Sequence, residues 1–178
     1  PFSLSLGVSG TARRIPALPQ AAWFFHASPP NHLAFRDGLP AQGFLAASFA
    51  SLRIPTPLLA PGLLLTPLLA LPLTARLIRK LARLAIRESG VQLTATVTDW
   101  HAYRLEWREQ FVRFEVDGHE IHRTQVSPRG RLGLVVWIDN QYAAFPPDGH
   151  LRAGTLANQS DSWLEIRNLR ESQTPQEH

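Results

Sequence analysis

Between residues 100 and 142 apolar and polar side chains alternate in three successive runs, and the pair Asp117-Gly118 separates the second run from the third. Period-two alternation assigns one kind of side chain to each face of an extended strand. Asp-Gly suits a two-residue type I′ turn, whose central positions both need positive φ. A hairpin closed there sets Val116 opposite His119, Glu115 opposite Glu120 and Phe114 opposite Ile121, so that Val112, Phe114, Val116 and Ile121 share a core face. The Glu115–Glu120 pair of like charges then belongs on a wet face, where Arg113 and Arg123 can offset it. Tyr103, Leu105 and Trp107 continue the alternation upstream. A stretch with this period predicts antiparallel sheet rather than helix.

Other segments fit the same class. Ala21-Ala22-Trp23-Phe24-Phe25-His26-Ala27 reads as an aromatic strand with Trp23 and Phe25 on one face and Phe24 and His26 on the other. Residues 43–52 read as a strand, as do residues 91–98, where Val91, Leu93, Ala95 and Val97 alternate with polar neighbours. Phe2, Leu4, Leu6 and Val8 alternate near the start, and Trp163, Leu164, Ile166 and Leu169 suggest a final strand. From Arg131 to Asp139 the even positions Leu132, Leu134, Val136 and Ile138 are apolar, while the other face offers Gly133, Val135, Trp137 and Asp139 to a cleft. Residues 143–160 read as a long loop and 171–178 as a polar tail.

Residues 54–75 carry no charge, but Pro55, Pro57, Pro61, Pro67 and Pro72 argue against a spanning helix, because each interior proline removes a hydrogen bond and clashes one turn back. After Pro72 the period changes to that of a helix. Leu73, Leu77, Leu81, Leu84 and Ala85 fall on one side, and Arg76, Arg79, Lys80, Arg83 and Arg87 largely on the other, with an end expected near Ser89-Gly90. In one reading the leucine stripe packs on the sheets and the basic residues meet water. In others the helix is a lid over a cleft, or lies on an anionic membrane with Arg76, Lys80 and Arg83 at the headgroups.

With 178 residues the chain suits one domain with a core, at about 1–170, in which residues 54–90 form an insertion. It has no cysteine, hence no disulfide or thiolate metal site, and the compartment stays undecided. The charge of +4 is spread along strands without a cationic stripe interleaved with aromatics, so nucleic acid is not an expected partner. His119 and His122, three apart in a strand, point to opposite faces and cannot share a metal unless a bulge intervenes, and no cofactor motif is present.

The motifs Trp100-His101-Ala102-Tyr103-Arg104-Leu105-Glu106-Trp107 and Val116-Asp117-Gly118, followed by a Gly-Leu-Val-Val-Trp strand, resemble the later half of family-16 glycoside hydrolases, the laminarinase and lichenase relatives within the concanavalin A-like group. The resemblance runs over about residues 19–169. It implies an all-β concanavalin A-like jelly-roll sandwich with one inserted amphipathic helix, and strands upstream of Pro1. It also implies a strand at residues 43–52 whose alternate carboxylates face a cleft, about 5 Å apart for a retaining mechanism. Those places fall on Phe44, Ala46, and Ser48 or Phe49, and no Asp or Glu occurs between Asp37 and Glu88. The usual catalytic pair is therefore missing.

Three functions follow as expectations. In the first, the domain binds a glycan or other polar ligand without catalysis, using Trp137, Asp139, Asn140 and Gln141, with Trp23 and His26: an aromatic face for a sugar ring beside groups that bond its hydroxyls. Against this, Trp137 also reads as a core residue followed by a polar turn. In the second, Asp139 serves a diverged glycoside hydrolase. In the third, the basic insertion makes a peripheral membrane or assembly protein.

Overall fold

The computed structural model describes residues 3–6, 19–52, 71–130, 132–158 and 160–172. Most of the regular structure is antiparallel strand. Strands β1 (Ser3–Leu6), β2 (Ala21–Ala27), β3 (Gly43–Ser51), β4 (Ile86–Gln92) and β8 (Val136–Asp139) form a sheet in the order β4-β3-β2-β1-β8. Strands β5 (Tyr103–Trp107), β6 (Val112–Val116) and β7 (His119–Thr124) form a second sheet, and β9 (Gln141–Ala144) pairs with β10 (Arg152–Thr155). One helix, α1 (Pro72–Ala85), is present among the described residues, with Pro72 in its first turn, where its missing N–H costs nothing.

The large sheet has a packed layer on each face. On one, Ala22, Phe24, Phe44 and Ala46 meet Val112, Phe114 and Val116 of the three-stranded sheet. On the other, Phe25, Ala27, Leu45, Ala47, Phe49 and Ile86 are covered by Leu33 and Phe35 of a loop and by Ala82 and Ala85 of α1. β3 is thus buried on both faces, which suits its nearly unbroken apolar run. Gly90 faces Ala47 so closely that an added Cβ would come within 3.1 Å of the Ala47 Cβ.

The hairpin at Asp117-Gly118 forms as expected, with φ of 52° and 79°. Val116 pairs with His119 and Glu115 with Glu120, but Phe114 pairs with His122 rather than Ile121, because a bulge between the last two pairings inserts Ile121 as an extra residue. The shift puts both His119 and His122 opposite residues that face the core, so the expectation that they point to opposite faces does not hold. Among the described residues, no three His, Asp or Glu side chains gather as a metal site. On the outer face Arg113 lies 3.1 Å from Glu115 and 4.0 Å from Glu120, offsetting the like charges, whereas Arg123 stacks on Phe111.

Several boundaries differ from the sequence-based expectations. α1 stops at Ala85 and passes directly into β4, so Gly90 is a strand residue and not a helix cap. β4 ends at Gln92, leaving Leu93 and Ala95 to pack from a loop while Val97 is exposed. The segment before Val136 is not extended into the sheet, and Leu134 is exposed. Residues 163–169 form no strand, since Trp163, Ile166 and Leu169 find no layer to cover them. The supposed loop at 143–160 contains β10. Expectations for Phe2 and Val8, for residues 54–70 and for the tail from 173 onward lie outside the described residues.

Candidate functional site

Two groups of residues qualify as a site: the Trp137 cluster and α1. β8 is the outer strand of the large sheet, and its backbone register sets Trp137 across β1 from Phe25. Trp137 and Asp139 therefore point to the face that carries α1. Trp137 meets Trp23 edge-on at 6.3 Å, and Trp23 in turn packs on Phe25 and Phe49. The structure thus brings Trp23 and Trp137 together, but as half-buried neighbours within a packed aromatic row. Asn140 turns its amide to the carbonyl of Leu156 at 2.9 Å, just after β10, and Asp139 accepts the N–H of Gln141 within the turn between β8 and β9, so both side chains are engaged by the protein's own backbone. Gln141 is exposed, and His26 lies on the opposite face beside Phe44. Two hollows open near the 31–37 loop, one lined by Phe25, Ala47, Phe49 and Glu88, the other by His32, Phe35, Phe145 and Leu151; Trp137, Asp139, Asn140 and Gln141 line neither.

The strand face expected to carry family-16 carboxylates is closed as well. Phe44, Ala46 and Ser48 are 5%, 0% and 0% exposed, and pack against the second sheet. Ser48 donates to the carbonyl of Val126, so this face is interior rather than cleft.

The helix is inverted relative to the simplest expectation. Leu73, Leu77, Leu81 and Leu84 are 77%, 56%, 55% and 76% exposed, while Arg79 is 2% exposed. The reason is a polar cradle beneath the helix. Arg79 donates through Nη1 to the carbonyls of Ala34, at 2.8 Å, and Phe145, and its Nη2 lies 3.4 Å from Asp37. Arg83 donates to the carbonyl of Phe35 at 2.7 Å and pairs with Asp37 at 2.5 Å. Buried Glu88 of β4 accepts the N–H groups of Phe35 and Arg36, which fixes the loop that presents those carbonyls. The hydrogen bond from Arg83, helped by Arg79, holds the Asp37 carboxyl below its ordinary value. Burial lowers the pKa of Arg79, against the bond to Asp37, and the guanidinium remains cationic. Burial also holds His32, on the same loop, below its usual pKa.

Of the three basic residues singled out in the sequence, Arg76 donates to the carbonyl of Asp148 at 2.9 Å yet stays exposed, Lys80 is exposed, and Arg83 is tied to the loop. At 100° per residue, Arg76 and Lys80 flank the leucine row on one side. Arg79, Asp37 and Glu88 were not among the expected site residues. Their signal was the spacing of Ala75, Arg79 and Ala82, a narrow helix side of small residues around one long base.

Comparison with protein-family models, curated proteins and solved structures yields no match. The likeness to family-16 enzymes rests on the quoted motifs alone.

Proposed function

We propose that this protein docks on an anionic lipid surface through the leucine face of α1. The observation that carries the proposal is the inversion: four leucines in a row face solvent while an arginine faces the protein. Burying a leucine fully is worth about 1.5–3 kcal/mol. Sinking four leucines that are half or more exposed into an interface therefore offers on the order of 4–8 kcal/mol before immobilisation costs. The helix carries no acidic residue, so Arg76 and Lys80 have no partner charge on it, and each basic group near an anionic surface adds about 1 kcal/mol. A lipid phosphate supplies the missing anion. A second copy of the same helix does not. No helix among the described residues is long and apolar enough to cross a membrane, so the contact is made by lying on the surface.

Co-sedimentation of the full chain with phosphatidylglycerol-containing vesicles tests this. Binding should weaken at least tenfold in a Leu77→Ser, Leu84→Ser double variant and fall in Lys80→Glu. Equal binding by all three proteins, or lipid-independent self-association abolished by the same serines, would refute it.

A second reading keeps the glycan or polar-ligand site in a concanavalin A-like jelly roll. Two facing antiparallel sheets support the frame, and Trp137 with Asp139 on one face supports the site. Binding of laminarin or lichenan lost on Trp137→Ala would establish it, and release of reducing ends abolished by Asp139→Asn would extend it to a diverged hydrolase. Unchanged binding by Trp137→Ala would remove it.

A further inference from the structure

We infer that Arg79 and Asp37 are positioning residues for that lipid contact, deciding which side of α1 faces outward; this rests on the proposed docking. An amphipathic helix has two sides on which it can settle, and an apolar stripe normally goes inward. Here the 31–37 loop offers the carbonyls of Ala34 and Phe35, which a leucine side chain would leave unpaired beneath the helix, and at the margin the exposed carboxylate of Asp37. Arg79 satisfies the Ala34 carbonyl, Arg83 the Phe35 carbonyl, and both reach Asp37; Arg79 also lies over the Phe145 ring at 5.8 Å. Ala75, fully buried, lets the helix approach closely.

A second clasp holds the other end. Arg76 bonds the carbonyl of Asp148, and the turn at Gly149 runs so near the first helical turn that a Cβ there would lie 2.3 Å from the carbonyl oxygen of Pro72. The helix is held at both ends by arginine-to-carbonyl bonds, and none of them uses a leucine. The leucine face is therefore preformed, and the protein docks as a rigid body without unpacking α1.

The chain has no cysteine, so a single Leu77→Cys substitution reports this face alone. In the full-length protein that thiol should react with a soluble maleimide at the rate of a free thiol, and become shielded on phosphatidylglycerol vesicles. Adding Arg79→Met should slow the reaction in solution several-fold and weaken vesicle partition about tenfold, with Arg79→Lys recovering part of both. Asp37→Asn, at an exposed position, should shift both readouts in the same direction by a smaller factor, and decides the matter if Arg79→Met does not fold. Unchanged reactivity and unchanged partition in folded Arg79→Met, or in Asp37→Asn, would overturn the inference. A wild-type chain that ignores the vesicles would remove the docking itself, whereas thiol reactivity in solution would still show whether Arg79 sets the face.

Discussion

Gly149→Ala separates two costs that usually arrive together. Gly149 has φ of +81° and an added Cβ would sit 2.3 Å from the Pro72 carbonyl oxygen and 3.0 Å from the Arg76 side chain. Gly118, in the β6–β7 turn, has nearly the same φ, +79°, but nothing within 4 Å of its would-be Cβ. Alanine in a left-handed conformation costs about 1–2 kcal/mol, so that much is expected for Gly118→Ala. At Gly149 the same penalty applies, and backbone must also move by about 1 Å to relieve the overlap, which adds about 1–3 kcal/mol as in overpacked interiors. The expected totals are roughly 1–2 kcal/mol for Gly118→Ala and 2–5 kcal/mol for Gly149→Ala. Urea unfolding followed by far-UV circular dichroism measures both, through shifts in midpoint at constant slope. Equal losses in the two variants would show that the 146–149 turn does not press on α1, and would refute the clasp at the helix N-terminus.

Other outcomes follow from the core and its histidines. Phe114→Ala removes a fully buried ring that meets Phe24 edge-on at 5.3 Å and stacks on His122, and should cost about 3–5 kcal/mol in the same unfolding assay; a loss below about 1 kcal/mol would mean the two sheets are not packed as described. Burial between the sheets, only partly opposed by Glu120, lowers the pKa of His122 below its ordinary 6.5, and its Nε2 lies 2.9 Å from the Ser89 hydroxyl. The unfolded chain then binds more protons than the folded one in the window just below pH 6.5, so stability should be full above that value and decline as pH falls through the folded pKa. His122→Gln should flatten that decline in unfolding free energy measured between pH 7 and pH 5, leaving the part from His32, whose pKa is also lowered by burial. An unaltered pH profile would place the proton elsewhere.

Much of the local structure was legible from periodicity. β2 and the body of β3 lie where the apolar runs place them, and the Asp117-Gly118 turn adopts the positive φ values that its residues permit. What failed depended on neighbours distant in the chain. Ile121 was displaced by a bulge, and nothing in the local alternation announces one extra residue. Trp163, Leu164, Ile166 and Leu169 suggest a strand by their apolar content, yet no sheet edge receives them. Asn140 and Asp139 have the chemistry of a sugar site, but whether such groups face a ligand or bond the protein's own backbone depends, for Asn140, on Leu156, well along the chain.

The helix shows the same division most sharply. Spacing alone was enough to predict a helix beginning at Pro72 with a leucine side and a basic side, because 3.6-residue periodicity is a property of consecutive residues. Which side turns inward was decided by the carbonyls of Ala34, Phe35 and Phe145, brought beneath the helix by tertiary folding, with the Asp37 carboxylate at the margin and Glu88 fixing the loop. Buried polar groups must be paired, and when a cradle of acceptors lies under a helix the base goes in and the leucines stay out.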